Sequence, residues 1–193
     1  MEKASIDDVD PFVFEGSERR GLSEPLGTTG VAVNHYRIPA GEGFPAGLHA
    51  HMDQEELFVV LEGEATFETL EGEICVEAGE VIRFAPGDFQ SGRNDADDGE
   101  ELVALALGAP HDTENIRIPA VCRECEHENV RLDLAGDGPT FVCPACDREF
   151  VPQACPECGH EELRVTLADS SGGRTVTVCQ GCEAEFDEPP VRA

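Results

Sequence analysis

Gly43-Phe-Pro-Ala-Gly-Leu-His49-Ala-His51-Met-Asp-Gln-Glu-Glu56-Leu-Phe-Val-Val-Leu-Glu-Gly63 is the stretch that decides the fold. His49 and His51 are two apart, so on an extended strand both imidazoles point to one face. Glu56 follows, just ahead of the apolar run Leu57–Leu61, and Gly63 ends the strand. Two imidazoles and a carboxylate converging on a point make a site for a divalent metal with positions left open. A lone His-x-His pair on a surface is usually two solvated histidines. The spacing of the whole stretch lifts this pair above that reading.

That spacing, Gly-x5-His-x-His-x4-Glu-x6-Gly, resembles the first signature of the cupin family, with every fixed position filled. The second signature, Gly-x5-Pro-x-Gly-x2-His-x3-Asn, has a counterpart from Gly79 to Asn94. Gly79, Gly87 and Asn94 match it; Ala85 stands in place of the proline and Gln90 in place of the ligand histidine. Pro86 still stiffens the turn. A glutamine carbonyl oxygen is a neutral and weaker metal ligand than imidazole. The resemblance implies a jelly-roll barrel over residues 31–109, with His49, His51 and Glu56 as core ligands. Gln90 is then a fourth ligand or the anchor of a bound water. The identity of the ion (iron, manganese, nickel or zinc) is open, and the alternative is a cupin that keeps the fold without the metal.

Around this stretch the pattern is that of an all-β protein. Short apolar runs separated by Gly, Pro and Asp predict strands from Val31 onward, including Val81–Phe84 and Leu102–Leu107, and a hairpin of Glu64–Leu70 and Glu73–Glu77 across Glu71-Gly72. In the run 56–62, Glu56, Phe58 and Val60 share one face and line the barrel, while Leu57, Val59 and Leu61 point outward. A strand apolar on both faces needs cover on both; a second subunit supplies it in the expected homodimer, with the N-terminal arm or the C-terminal modules as the alternative cover. His35, Tyr36 and Arg37 are candidates for ligand contact or for core and outer-face positions. Arg19 and Arg20 face a substrate or pair with nearby acid. Asp53, Glu55 and Arg83 are acid–base candidates by position only. Cys75, the one cysteine without a partner, is expected to be a buried, inert thiol.

Residues 1–30 form an N-terminal arm in which Phe12 and Phe14 alternate as a short edge strand. Residues 110–119, between Pro110 and Pro119, form a linker. Beyond it eight cysteines fall into four Cys-x2-Cys pairs: Cys122/Cys125, Cys143/Cys146, Cys155/Cys158 and Cys179/Cys182. The gaps of 17 and 20 residues fit two four-cysteine zinc ribbons, at 120–152 and 153–188, with a tail at 189–193. The two copies repeat each other: Cys122-Arg-Glu-Cys-Glu-His127 parallels Cys155-Pro-Glu-Cys-Gly-His160, and Cys146-Asp-Arg-Glu-Phe150 parallels Cys182-Glu-Ala-Glu-Phe186. The second is longer at Asp169–Gly173. Each copy predicts one hairpin, with strands at Val130–Leu134 and Thr140–Val142, then Leu163–Leu167 and Thr175–Val178. A unit of about 30 residues buries too little apolar surface to fold alone, and a zinc ion held by four thiolates replaces the core. Four filled thiolate positions leave no open site, so both zincs are structural. Rubredoxin-like iron is the runner-up. His127 and His160 are expected outside the ligand set.

Charge narrows the partners. The chain of 193 residues carries 41 acidic and 13 basic side chains, a net −28, and Lys3 is its one lysine. Surplus acid without lysine resembles the proteins of salt-loving archaea, where strong salt screens the repulsion. Residues 120–193 hold 6 basic and 15 acidic groups, a net −9, and each four-thiolate zinc adds a further −2. Phosphate binding relies on a positive face, so nucleic acid is disfavoured and the ribbons are expected to contact protein or the barrel itself. No segment is long and apolar enough to cross a membrane and Met1–Asp10 is acidic, so the expected compartment is the cytoplasm. Function narrows to a metal-dependent cupin acting on a small polar molecule (a dioxygenase, isomerase or decarboxylase type), or a ligand-sensing or scaffold protein that uses its ribbons for partners. A structural oligomer is the third reading.

Overall fold

The computed structural model describes residues 1–97, 99–136, 138–168 and 173–192. Among them strands dominate, and helix is confined to a 3-10 turn at Ile6–Asp8 and one turn, α1, at Ser23–Leu26. No helix among the described residues is long and apolar enough to cross a membrane.

The strands of the barrel region are β1 (Phe12–Phe14), β2 (Ser17–Gly21), β3 (Ala32–Ile38), β4 (Ala50–His51), β5 (Glu55–Glu62), β6 (Glu64–Thr69), β7 (Gly72–Glu77), β8 (Val81–Phe84), β9 (Gln90–Arg93) and β10 (Leu102–Ala109). One sheet runs β1-β2-β3-β10-β5-β8 and the other β7-β6-β9, each by antiparallel pairing. The two sheets close on one apolar core. Phe44, Phe58, Phe67 and Phe84 form its centre, with ring centroids 4.8–6.1 Å apart, and Ile38, Val60, Leu102 and Ala104 complete it. Phe58 and Val60 face inward and Leu61 is exposed, as the alternation of β5 requires. Gly63 turns the chain from β5 into β6 at a φ of 75°, and a Cβ there would meet the Glu101 carbonyl oxygen at 2.7 Å. Asn94, the last residue of the second signature, is buried; its amide donates to the Ile38 and Glu100 carbonyls. The two-sheet, all-antiparallel architecture fits a jelly roll.

Regular structure starts earlier than Val31. β2 pairs with β3 from Glu18↔Arg37 to Gly21↔Asn34. The sequence Ser17-Glu-Arg-Arg-Gly21 hides this strand because its charges, rather than apolar side chains, alternate; Arg20 reaches Glu18 at 2.7 Å. β1 is the edge strand beside it. Cys75 is exposed rather than buried, since β7 is itself an edge strand and Cys75 lies on the face opposite buried Val76.

The stretch 110–119 also differs from a plain linker. It contains β11 (Ile116–Ile118), which pairs on one side with β4 (Ile116↔His51) and on the other with β12 (Val130–Asp133). The sheet continues through β13 (Thr140–Val142), β14 (Glu149–Pro152) and β18 (Val191–Arg192), in the order β18-β14-β13-β12-β11-β4. The first cysteine module and the short strand of His51 thus share one sheet, and the C-terminal tail forms its far edge. Ile116 and Ile118, two apart, are the sequence trace of β11, but two residues of periodicity between prolines are too few to read as a strand.

The second module is a separate sheet of β15 (Leu163–Leu167), β16 (Thr175–Cys179) and β17 (Glu185–Phe186). Both hairpins fall where the sequence places them; residues 169–172 of the longer loop lie outside the described residues. This module docks on the barrel through β15. The Leu48 N–H donates to the Val165 carbonyl at 2.7 Å, and a Cβ on Gly47 would sit 2.7 Å from that same oxygen. Buried Glu68 accepts from the Thr166 hydroxyl and the Leu167 N–H, each at 2.9 Å.

Candidate metal centres

His49, His51 and Glu56 come together. One ligand atom from each lies within 4.8 Å of the others, and His51 Nε2 is 3.8 Å from Glu56 Oε2. Three elements bring them there. His49 pairs with Gln90 as an isolated bridge, with N–H···O distances of 3.1 and 2.8 Å in the two directions. His51 is the end of β4, and Glu56 is the second residue of β5.

The protonation of both imidazoles follows from their partners. His49 Nδ1 lies 2.8 Å from the Gly47 carbonyl, which can only accept, so Nδ1 carries the proton. His51 Nδ1 lies 3.2 Å from the Thr113 hydroxyl. That hydroxyl spends its single proton on Asp53 Oδ1 at 2.6 Å, so it accepts from His51. In both rings Nε2 is left with a bare lone pair, as a metal ligand requires. Burial pulls both imidazoles below their usual pKa, His51 to about 4 with His49 adding to the effect, so both stay neutral near pH 7. Burial pushes Glu56 up to about 7, against the Gln90 amide that donates to Glu56 Oε2 at 3.0 Å. A half-buried carboxylate raised this far, beside two neutral imidazoles, is a group that gains from a cation. The donor set and its outer partners therefore fit a divalent ion.

Gln90 is buried and in the site, but its amide nitrogen is engaged with Glu56. Sequence offered it as a ligand or a water anchor, and its contact with Glu56 was not foreseen. Thr113 and Gly47 were missed as well. Thr113 reaches His51 from 62 residues away, and Gly47 acts through its backbone, so neither leaves a signal in spacing. Asp53 orients Thr113 and sits below the usual carboxylate range: burial opposes this, but the Thr113 hydroxyl and the Glu114 and Asn115 N–H groups prevail. Glu55 and Arg83 form an exposed ion pair at 2.6 Å, as does Arg37 with Glu101. Tyr36 and Arg19 line the cleft over the site, whereas His35 is buried away from it with Nδ1 unpartnered.

The eight paired cysteines gather as two groups of four, Cys122, Cys125, Cys143 and Cys146, and Cys155, Cys158, Cys179 and Cys182. Sulfur–sulfur distances are 3.5 and 3.8 Å in the first and 3.6 and 3.7 Å in the second. Thiolates bound tetrahedrally about 2.3 Å from zinc would be roughly 3.8 Å apart, so both groups fit one ion each. All four Cys-x2-Cys turns have one build. The residue after the second cysteine (Glu126, Asp147, Gly159, Glu183) has a φ of 54–78° and donates its N–H to the carbonyl of the first cysteine at 2.8–2.9 Å. His127 and His160 accept from Cys122 N–H and Cys155 N–H through their backbone carbonyls. Burial works against the Cys143 and Cys179 thiolates, but backbone N–H groups aimed at them hold them at about 7 and about 6.

Comparison with known proteins agrees with the barrel. Residues 34–107 match the family model described as a cupin domain. Among solved structures, the chain is similar to the sugar phosphate isomerase from a cupin superfamily of Silicibacter pomeroyi DSS-3, at 20% identity and a TM-score of 0.58, over 75% of this chain and 94% of that one. It is also similar to the polyketide cyclase RemF from Streptomyces resistomycificus, at 17% identity and a TM-score of 0.53, over 64% and 89%. At these identities the likeness speaks of the fold. A sequence search of curated proteins gives no match. Residues 34–107, less than half of the chain, thus resemble a cupin domain, and the cysteine modules lie beyond that match.

Proposed function

We propose that the barrel holds one divalent ion on His49, His51 and Glu56, and binds or transforms a small polar molecule beside it. The two cysteine modules are zinc ribbons, each built on one structural zinc. The observation that carries the barrel reading is the pair of Nδ1 contacts, which leave both Nε2 atoms bare in a cluster with the half-buried carboxylate of Glu56. When bound, the ion supplies Lewis acidity to a ligand oxygen. Gln90 steadies Glu56, and the Asp53–Thr113 pair steadies His51. Three protein ligands leave positions open, as a working site needs; four thiolates do not.

A second reading has its own observation. The sheet shared by β4 and β12 gives the first ribbon a direct mechanical link to the barrel site, as a ligand sensor would use. In that reading the ribbons contact a protein partner, since their net charge of −9 disfavours nucleic acid. A cytoplasmic homodimer formed on the outer face of β5 and β8, where Leu61 and Val81 are exposed, accompanies either reading. Leu61→Asp/Val81→Asp then gives a monomer in sedimentation, and an unchanged mass for that variant sinks the dimer.

Elemental mass spectrometry tests the metal reading. The native chain is expected to carry two zincs and a third ion, and His49→Ala/His51→Ala is expected to lose the third alone. Two zincs with nothing lost in the variant would refute the barrel site. Consumption of a bound ligand separates enzyme from sensor.

A further inference from the structure

We infer that the first cysteine module is the specificity wall of the barrel's cleft, and that the ligand it selects is a small monocarboxylate with an apolar body. The inference rests on the reading of this cleft as a small-molecule site.

The cleft has a volume of about 510 Å³, with His49, His51 and Glu56 in its lining. One wall belongs to the module. Across the shared sheet His51, Ile116 and Leu132 are direct cross-strand partners, so their side chains share a face. Ile118 and Leu134 follow two residues on and continue that face. All four apolar residues line the cleft with the imidazole of His51. Leu134 is 63% exposed, an apolar side chain that faces water along the lining of the cleft. Without β11 and β12 this side of the site would open to solvent.

The lining also has a polar set: Arg19, Asn34 and Tyr36, on the paired strands β2 and β3. Nine arginines form ion pairs with carboxylates among the described residues, and Arg19 forms none in a chain with 41 acidic side chains. Its contacts are the Phe12 ring, 5.4 Å from the centroid, and the neighbouring Tyr36. Burial pushes the Tyr36 hydroxyl up to about 12, against the pull of Arg19, so it stays a proton donor. A guanidinium with no carboxylate partner among the described residues, beside a hydroxyl, suits a carboxylate. Arg19 is the one arginine or lysine among the lining residues, Glu56 shares the lining, and the chain carries −28. A single negative charge is favoured over the two of a phosphate monoester. The acid group meets the polar set, and the apolar body lies against the isoleucines of β11 and the leucines of the module.

Calorimetric titration of the full chain, with its cysteine sites filled, tests this with acetate, hexanoate, hexanamide and hexyl phosphate. Hexanoate is expected to bind at least about tenfold tighter than each of the others, since four added methylenes reach the apolar wall. Arg19→Gln should bring hexanoate down to the level of hexanamide. Leu132→Ser/Leu134→Ser should bring it down to acetate while the zinc content stays at two. Both positions are partly open to solvent, and retained zinc certifies the fold of the module. Equal binding of acetate and hexanoate, no binding of any carboxylate, tighter binding of hexyl phosphate, or a chain-length preference that survives in the leucine variant each overturns the inference. A missing barrel ion is registered separately by metal content, and the chain-length preference is then read in the metal-free cleft.

Discussion

The barrel site and the cysteine sites divide the molecule's chemistry between them. In the barrel, three candidate ligands of mixed type are fixed by a core that exists without them: four phenylalanines and their neighbours close the sheets, and the imidazoles are aimed by Gly47 and Thr113. In the modules the order is reversed. Four sulfurs stand at the centre, and the apolar set around the first of them amounts to Phe150 with Phe141 and Val191 packed on it. A site held by its fold can leave coordination positions open; a fold held by its site cannot. On the proposed reading the same chain uses metal in two ways, once for ligand chemistry and once for cohesion.

The largest effect expected from this contrast comes from stripping all metal with a strong chelator. Structural zinc contributes on the order of 10 kcal/mol to a module of this size. Amide exchange in β12, β13, β15 and β16 should become fast while β5, β6 and β10 keep their protection. Loss of protection in β5 and β10 to the same degree would erase the distinction. Phe67→Ala is the converse change. Phe67 is fully buried between the sheets, so about 3–5 kcal/mol of barrel stability should vanish in a denaturant melt, with both zincs retained below the transition.

A smaller effect is expected at Thr113→Val. It removes the acceptor of His51 Nδ1 without touching a ligand, and partners of this kind are worth roughly 10–100-fold in metal affinity. A competition titration should show that loss in the barrel and none in the cysteine sites. The smallest effect concerns pH. His35 is buried with Nδ1 unpartnered, and burial, with Arg20 and Arg37 adding to it, holds its pKa below the ordinary value. The unfolded chain therefore binds this proton more readily, and the contribution of His35 is intact above about pH 6.5 and lost as pH falls below it. Denaturant midpoints of the native chain and of His35→Phe should diverge between pH 7.5 and 5.5; parallel curves would remove His35 from the account.

Much of this contrast is legible in the chain, because both kinds of site are written in local spacing. His49, His51 and Glu56 fall within eight residues, each cysteine pair within four, and the hairpins between them alternate plainly. What sequence conceals is non-local or backbone-borne. Gly47 aims His49 with a carbonyl, which every residue has. Thr113 sits in a stretch that reads as linker, and β11 shows as two isoleucines between prolines. Gln90 looks like a replaced ligand; its contact with Glu56 depends on how β5 and β9 face each other. The docking of β15 on Gly47 and Glu68 joins residues some hundred positions apart, and nothing in either segment announces it.

The most direct test of the central claim is to add cobalt(II) to the chain with its cysteine sites already filled by zinc and to record the visible and near-ultraviolet spectrum. An open site of two imidazoles and a carboxylate should take up one cobalt per chain with weak ligand-field bands and no intense sulfur-to-metal charge transfer, and His49→Ala/His51→Ala should abolish the uptake. No uptake by the native chain, or uptake only with thiolate charge transfer, would contradict it.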